Sequence, residues 1–123
     1  MKKPKPPLES EVLRKIGEAL TKRGAFFWRA NNTPSLGRFG KDGEARFRAM
    51  PKFSKKGVPD FICIVRGYFV GIEVKRPGGK LRPEQESFAM EVDKNGGYYG
   101  VADSVDRALA FYDNTCYEIT SNR

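Results

Sequence analysis

A chain of 123 residues with 39% hydrophobic and 12% aromatic content holds one domain around one modest core, which excludes a multidomain enzyme and a disordered chain alike. Its 23 Lys and Arg against 15 Asp and Glu give a net charge of +8 and a pI near 9.7, an excess that points to a polyanionic partner, nucleic acid first. There is no histidine, and Cys63 and Cys116 form no CxxC pair; zinc and the His-dependent nucleophiles are thereby excluded, and hydrolysis must rest on carboxylates, lysine and a bound metal.

Residues 1–7 (MKKPKPP) are a basic, proline-rich arm that cannot be helical throughout; it serves either as a solvated tail or as a contact segment ordered by a partner. From residue 8 to 23, Leu8, Val12, Leu13, Ile16 and Leu20 recur at helical spacing, and Gly24 ends the helix. On this wheel Glu9 falls inside the apolar arc and Glu11 well outside it. A carboxylate aimed at the core is costly unless paired or bound to a metal; the plainer role for Glu9 is stabilising the positive end of the helix.

Residues 25–30 (AFFWRA) read as a strand. Residues 32–56 read as a long loop, with Gly37, Gly40 and Gly43 and the basic residues Arg38, Lys41, Arg46, Arg48, Lys52, Lys55 and Lys56. Phe39, Phe47 and Phe53 interleave those charges as on a nucleic-acid contact surface, although a solvated insertion gives the same composition. Divided after Lys56, the chain carries 15 basic and 5 acidic residues before that point, +10, and 8 and 10 after it, −2. Arg29, before the loop, and Arg76, beyond it, join the loop's cations as candidate DNA contacts.

Residues 57–75 (GVPDFICIVRGYFVGIEVK) contain two apolar strands about Arg66-Gly67. An antiparallel hairpin centred there sets Asp60 opposite Glu73, at the end away from the turn, and alternation puts Lys75 on the face of Glu73 with Val74 pointing away. The intervening residues are apolar on both faces, which predicts a strand pair covered on both sides. Two crowded carboxylates beside an ammonium suit Mg²⁺ or Mn²⁺ and metal-assisted hydrolysis, with Lys75 orienting water or offsetting phosphate charge. A lone ExK would more simply be a surface ion pair; the neighbouring Pro59-Asp60 and the apolar hairpin favour the site.

The remaining elements are a helix over 83–94, a strand over 98–102 and a closing helix over 104–113 capped by Asp103 or Ser104, with Val105, Ala108, Leu109 and Tyr112 inward. Gln85 shares a helix face with Phe88 and Val92. That face lets its amide reach the strand tips and bond the attacking water or Lys75, unless it is simply a structural glutamine.

Pro59-Asp60, twelve intervening residues and Glu73-Val74-Lys75 resemble the PD-(D/E)xK nuclease superfamily. GVPD, GIEVKRPGGKL, RPEQESF with its Gln85-x-x-Phe88 element, and NGGYYGV are similar to the virus-type replication-repair nuclease (VRR-NUC) family, from Glu9 to about residue 105. The resemblance implies an α/β restriction-endonuclease-like core with a central mixed sheet in the order α-β-β-β-α-β-α, and residues 8–123 are expected to form that single nuclease domain. It implies a divalent metal at Asp60 and Glu73 with help from the Val74 carbonyl, and, from the family's E-x-x-(I/V) pattern, Glu9 as a supporting acid.

These readings lead to a Mg²⁺- or Mn²⁺-dependent DNA endonuclease in which Asp60, Glu73, Lys75 and Gln85 carry the reaction. Standalone members of the family resemble enzymes that resolve four-way (Holliday) junctions, and symmetric cutting of two strands takes two sites, hence a homodimer. The competing expectations are a flap or restriction-like endonuclease acting as a monomer, and a non-catalytic basic DNA-binding protein. The N-terminus lacks a hydrophobic signal core and no run is long enough to span a membrane. The expected setting is thus a reducing bacterial or phage-infected cytoplasm, with a role in recombination or repair.

Overall fold

The computed structural model describes residues 4–30, 36–38, 45–47 and 51–122, the two three-residue segments by their backbone alone. The elements in chain order are α1 (Glu9–Arg23), β1 (Phe27–Arg29), β2 (Leu36–Arg38), β3 (Ala45–Phe47), β4 (Phe61–Val65), β5 (Tyr68–Val74), α2 (Pro83–Lys94), β6 (Tyr98–Ala102) and α3 (Val105–Ser121). β1, β4, β5 and β6 lie side by side in that order in a mixed four-stranded sheet, antiparallel except for β5 and β6, which run parallel with α2 as their crossover. With the β2–β3 ribbon set aside, this is the α/β architecture and the element order expected from sequence.

Apolar alternation sorts the sheet into two faces. Phe61 and Cys63 of β4, Val70, Ile72 and Val74 of β5 and Ala102 of β6 are buried against α1 and α3. From those helices come Val12, Ile16 and Leu20, with Ala108, Tyr112 and Ile119. Fully burying a side chain such as Ile16 or Leu20 contributes about 1.5–3 kcal/mol, so this stripe fixes how α1 lies on the sheet. On the opposite face α2 covers β5 and β6, where Phe88 meets Phe69 and Tyr99 with ring centroids 6.2 and 6.3 Å apart.

The β4–β5 hairpin turns on Arg66 (φ 49°) and Gly67 (φ 87°), the two positive dihedrals of a type I′ turn whose twist matches the strands. Its register runs from Val65 opposite Tyr68 to Phe61 opposite Ile72, the pairing read from the sequence. The hairpin is not covered evenly, however. Because α2 sits over β5 and β6, Ile62 and Ile64 on the β4 side stay half-buried, and an open groove lies over β1 and β4.

Three further expectations are corrected. The stretch read as a continuous loop contains the antiparallel β2–β3 ribbon, Leu36 opposite Phe47 and Arg38 opposite Ala45; strands of three residues are too short to show an alternating period. The closing helix runs on to Ser121 instead of stopping at 113, because Thr115, polar in sequence, is buried and carries the inward face on to Ile119. Ser104 is its cap, its Oγ accepting from the Arg107 N–H at 3.2 Å. Glu9 is exposed and not aimed into the core: it is the first residue of α1, and the buried stripe begins a turn later at Val12.

Candidate active site at the open end of the hairpin

Pro59 is fully buried and lies flat on β5 at Gly71, where an added Cβ would come within 2.7 Å of the proline Cγ. That close approach sets the next residue, Asp60, at the mouth of β4. Its carbonyl accepts from the Ala30 N–H at 2.9 Å, and its Oδ2 accepts from the Val74 N–H at 2.8 Å. Asp60 therefore bridges β1 and the end of β5, and its second carboxylate oxygen is left for other work.

Glu73, 3% exposed, shares a hydrogen bond with the Asp60 carboxyl. Its pKa is pushed up to about 9, first by burial, then by that hydrogen bond and the Asp60 charge; Lys75 opposes the rise and Glu9 adds to it. Lys75 is itself only 7% exposed, and its backbone N–H is held by the Ala102 carbonyl at 3.0 Å. A lysine this buried is retained where a charge partner offsets its desolvation.

Tyr99, which sequence reading missed as a site residue, donates its hydroxyl to Glu73 Oε2 at 3.5 Å, and its phenol is pushed above its ordinary range by burial and then by the Glu73 charge. Gln85 is buried at the N-terminus of α2. Its Oε1 accepts from the Arg82 N–H at 2.9 Å, a capping-box bond, so its amide NH₂ is the end left free to donate elsewhere. Gly57 (φ 81°) brings the segment before Pro59 against this helix start: a Cβ there would overlap the Glu84 carbonyl.

The donor set fits a hard divalent cation. Asp60 and Glu73 supply oxygen, two carboxyls sharing a hydrogen bond are poised to exchange a proton for a metal, and Cys63 is buried on the other face with its thiol pushed up to about 12 by burial. Among the described residues no three His, Cys, Asp or Glu side chains form a ready-made cage. The carboxylate share is two, with Glu9 exposed near enough to raise the pKa of Glu73.

Of the expected DNA contacts, Arg29, Lys52, Lys55, Lys56 and Arg76 are exposed. Arg29 and Lys55 are among the residues that line the groove over β1 and β4, the Arg29 side chain leaving β1 on the face opposite to Trp28, while the Lys52 ammonium lies 5.2 Å from the ring centre of Phe53, which is 88% exposed. Arg38 and Arg46 lie on β2 and β3. Lys41 and Arg48 lie outside the described residues, as does Phe39.

The family model of the VRR-NUC domain matches residues 9–106, a span that includes every element of this site. The chain belongs to the VRR-NUC family. It is thus a nuclease of the PD-(D/E)xK type, with DNA as its substrate class. A solved structure described as a VRR_NUC domain protein is similar over 89% of this chain and 88% of that one, with 22% identity and a TM-score of 0.57, a likeness of fold. No curated protein matches the chain.

Proposed function

We propose that the protein is a divalent-metal-dependent endodeoxyribonuclease that hydrolyses phosphodiester bonds in branched DNA, with four-way junctions as its preferred substrate and a homodimer as its working form. The observation that carries the metal-dependent chemistry is the Asp60–Glu73 carboxyl pair, hydrogen-bonded, with Asp60 half-buried and Glu73 buried beside the buried Lys75. Asp60, Glu73 and the Val74 carbonyl would hold Mg²⁺ or Mn²⁺, with Glu9 in support. When bound, that ion supplies Lewis acidity toward water and the scissile phosphate.

The protein's own groups do the rest. The Val74 N–H fixes the Asp60 carboxylate, so the oxygen it leaves free is presented at a constant position. Glu73 gives up its proton on loading, and Tyr99 holds the resulting anion. The Lys75 ammonium orients the attacking water and offsets charge that builds on the phosphate, while the Gln85 amide donates to the same region. The exposed cations Arg29, Lys52, Lys55 and Lys56, within the part of the chain that carries +10 up to Lys56, hold the DNA by attraction to its phosphates.

Each chain carries one such site, and paired incisions at a junction take two, which is the argument for the dimer. The test is a panel of four-way junction, flap, blunt duplex and single strand, each with Mg²⁺, Mn²⁺ or chelator, alongside sedimentation of the protein. Metal-dependent paired nicks in the junction by a dimer are expected. Equal cutting of blunt duplex would remove the branch preference; a monomer that prefers flaps would favour the flap-nuclease reading, and metal-independent binding without products would end the enzymatic one.

A further inference from the structure

Beside Asp60 the molecule has a second feature that the hydrolytic groups do not use. The groove over β1 and β4 encloses about 500 Å³ and is lined by Trp28, Arg29, Ala30, Lys55, Val58, Ile62 and Phe88. Trp28 pairs across the sheet with Ile62, so its indole stands on the same face as Ile62 and Asp60. That indole is 44% exposed and is met edge-on by Phe26, itself exposed, with centroids 6.1 Å apart at 61°. The wall is continuous with the active site, because the Ala30 N–H is bonded to the Asp60 carbonyl.

A large aromatic left half in water, on a strand only three residues long, is retained against the hydrophobic effect unless something covers it. The cover must be flat and apolar on its faces to meet Trp28, and it must carry negative charge to satisfy the exposed Lys55 that lines the groove. A nucleobase attached to its phosphate has both properties. A base paired within a duplex hides its faces in the stack and cannot present them here. An unpaired one can.

We infer that this groove receives an unpaired nucleotide next to the scissile phosphate, its base stacked on Trp28 and its phosphate at Lys55, so that the enzyme is directed to DNA with unstacked bases at the cut. The inference rests on the proposed nuclease function and deepens it: selectivity for branched DNA arises from a base-binding groove and not only from the arrangement of two subunits.

The chain has a single tryptophan, so its emission reports this groove alone. With chelator present to prevent cutting, a short oligothymidylate is titrated against the full-length protein, beside a blunt duplex and the same duplex with a central unpaired bulge. Saturable quenching by the single strand and the bulged duplex, and little by the blunt duplex, is expected. In Trp28→Ala, binding of a fluorescein-labelled single strand followed by anisotropy should weaken about tenfold, while Trp28→Phe, which keeps an aromatic face, stays near wild type. Circular dichroism checks that both variants are folded.

Equal quenching by blunt and bulged duplex, or undiminished single-strand binding by folded Trp28→Ala, overturns the inference. A protein that shows the expected quenching yet cuts no DNA with any divalent ion keeps the groove and loses the proposed function. One that cuts branched DNA while Trp28→Ala binds and cuts as wild type keeps the function and loses the groove.

Discussion

The Val74 backbone N–H donates to Asp60 Oδ2 at 2.8 Å, so one carboxylate both closes the open end of the β4–β5 hairpin and faces Glu73. Structure and chemistry are therefore separable at this residue. Asp60→Asn keeps an oxygen for the Val74 N–H and removes the anion, so its metal-free melting temperature should stay within a few degrees of wild type. Metal-dependent cutting and the stabilisation by Mg²⁺ should both disappear. A thermal shift with and without Mg²⁺, read beside a cleavage assay, checks both; persistence of the Mg²⁺ shift would mean that Asp60 is not a ligand.

Glu73 sets a pH dependence whose sign follows from its raised pKa. Its ordinary value is 4.5 and its value in the folded protein is about 9. Between these the unfolded chain has lost the proton that the folded one keeps, so raising the pH from 4.5 toward 9 favours unfolding. The metal-free protein should melt at progressively lower temperature across that window relative to Glu73→Gln, which has no proton to lose there. Metal loading releases the same proton, so the stabilisation by Mg²⁺ should grow with pH over the same range. Melting curves at several pH values, with and without Mg²⁺, measure both slopes; identical slopes for wild type and Glu73→Gln would contradict the assignment.

The hairpin and the Asp60–Glu73 opposition were legible in the sequence because Arg66-Gly67 marks a two-residue turn and a strand pair has a fixed period, so choosing the centre decides every partner out to Asp60. Tyr99 was not legible. β6 reaches β5 through the α2 crossover, and nothing in the residues sets a parallel register that puts Tyr99 opposite Gly71, diagonal to Glu73. Glu9 shows the limit of a helical wheel, which gives an angle but not the depth of burial at a first turn. The uneven cover of the hairpin was hidden for a similar reason: apolar residues on both faces of β4 predict burial, and only the placement of α2 shows that one face is left as a groove.

Tyr99 tests how far support for Glu73 matters. At 3.5 Å the phenol–carboxyl bond is at the long end of hydrogen bonding, so Tyr99→Phe should cost about 0.5 kcal/mol or less in stability and only a few-fold in kcat. Denaturant melts and single-turnover cleavage measure the two. A loss of about a hundredfold or more would give the hydroxyl a role in the reaction beyond holding Glu73.

Gly57 is where the fold positions Gln85. With φ at 81° and the Glu84 carbonyl in the place of a Cβ, Gly57→Ala must push the start of α2 away from the segment that leads to Pro59 and Asp60. A cost of about 1–3 kcal/mol is expected from the backbone conformation alone. Because the displaced residues also carry Gln85, cleavage by the folded fraction should fall too, whereas Gly24→Ala, at a similar φ but with open space around it, should lower stability and spare activity. Equal activity of the two folded variants would show that the seat of α2 does not matter to the reaction.

Lys75 separates binding from chemistry. It is one of 23 basic residues and its side chain is buried at the strand end, so it contributes little to the long-range attraction that holds DNA. Lys75→Met keeps most of the buried stem and removes the charge, and two effects should follow. Loss of the group that orients water and stabilises charge should lower single-turnover cleavage by roughly 10²–10⁴-fold. Loss of the cation that opposes protonation of Glu73 should raise the pKa of that carboxyl further, so the residual activity should need higher pH or more metal to reach its plateau. Metal-free DNA affinity should change by no more than about twofold, because few phosphate contacts are lost. Cleavage across a pH and Mn²⁺ grid, set beside anisotropy in chelator, distinguishes this pattern from a simple binding defect, in which affinity and rate would fall together and saturating DNA would restore the rate.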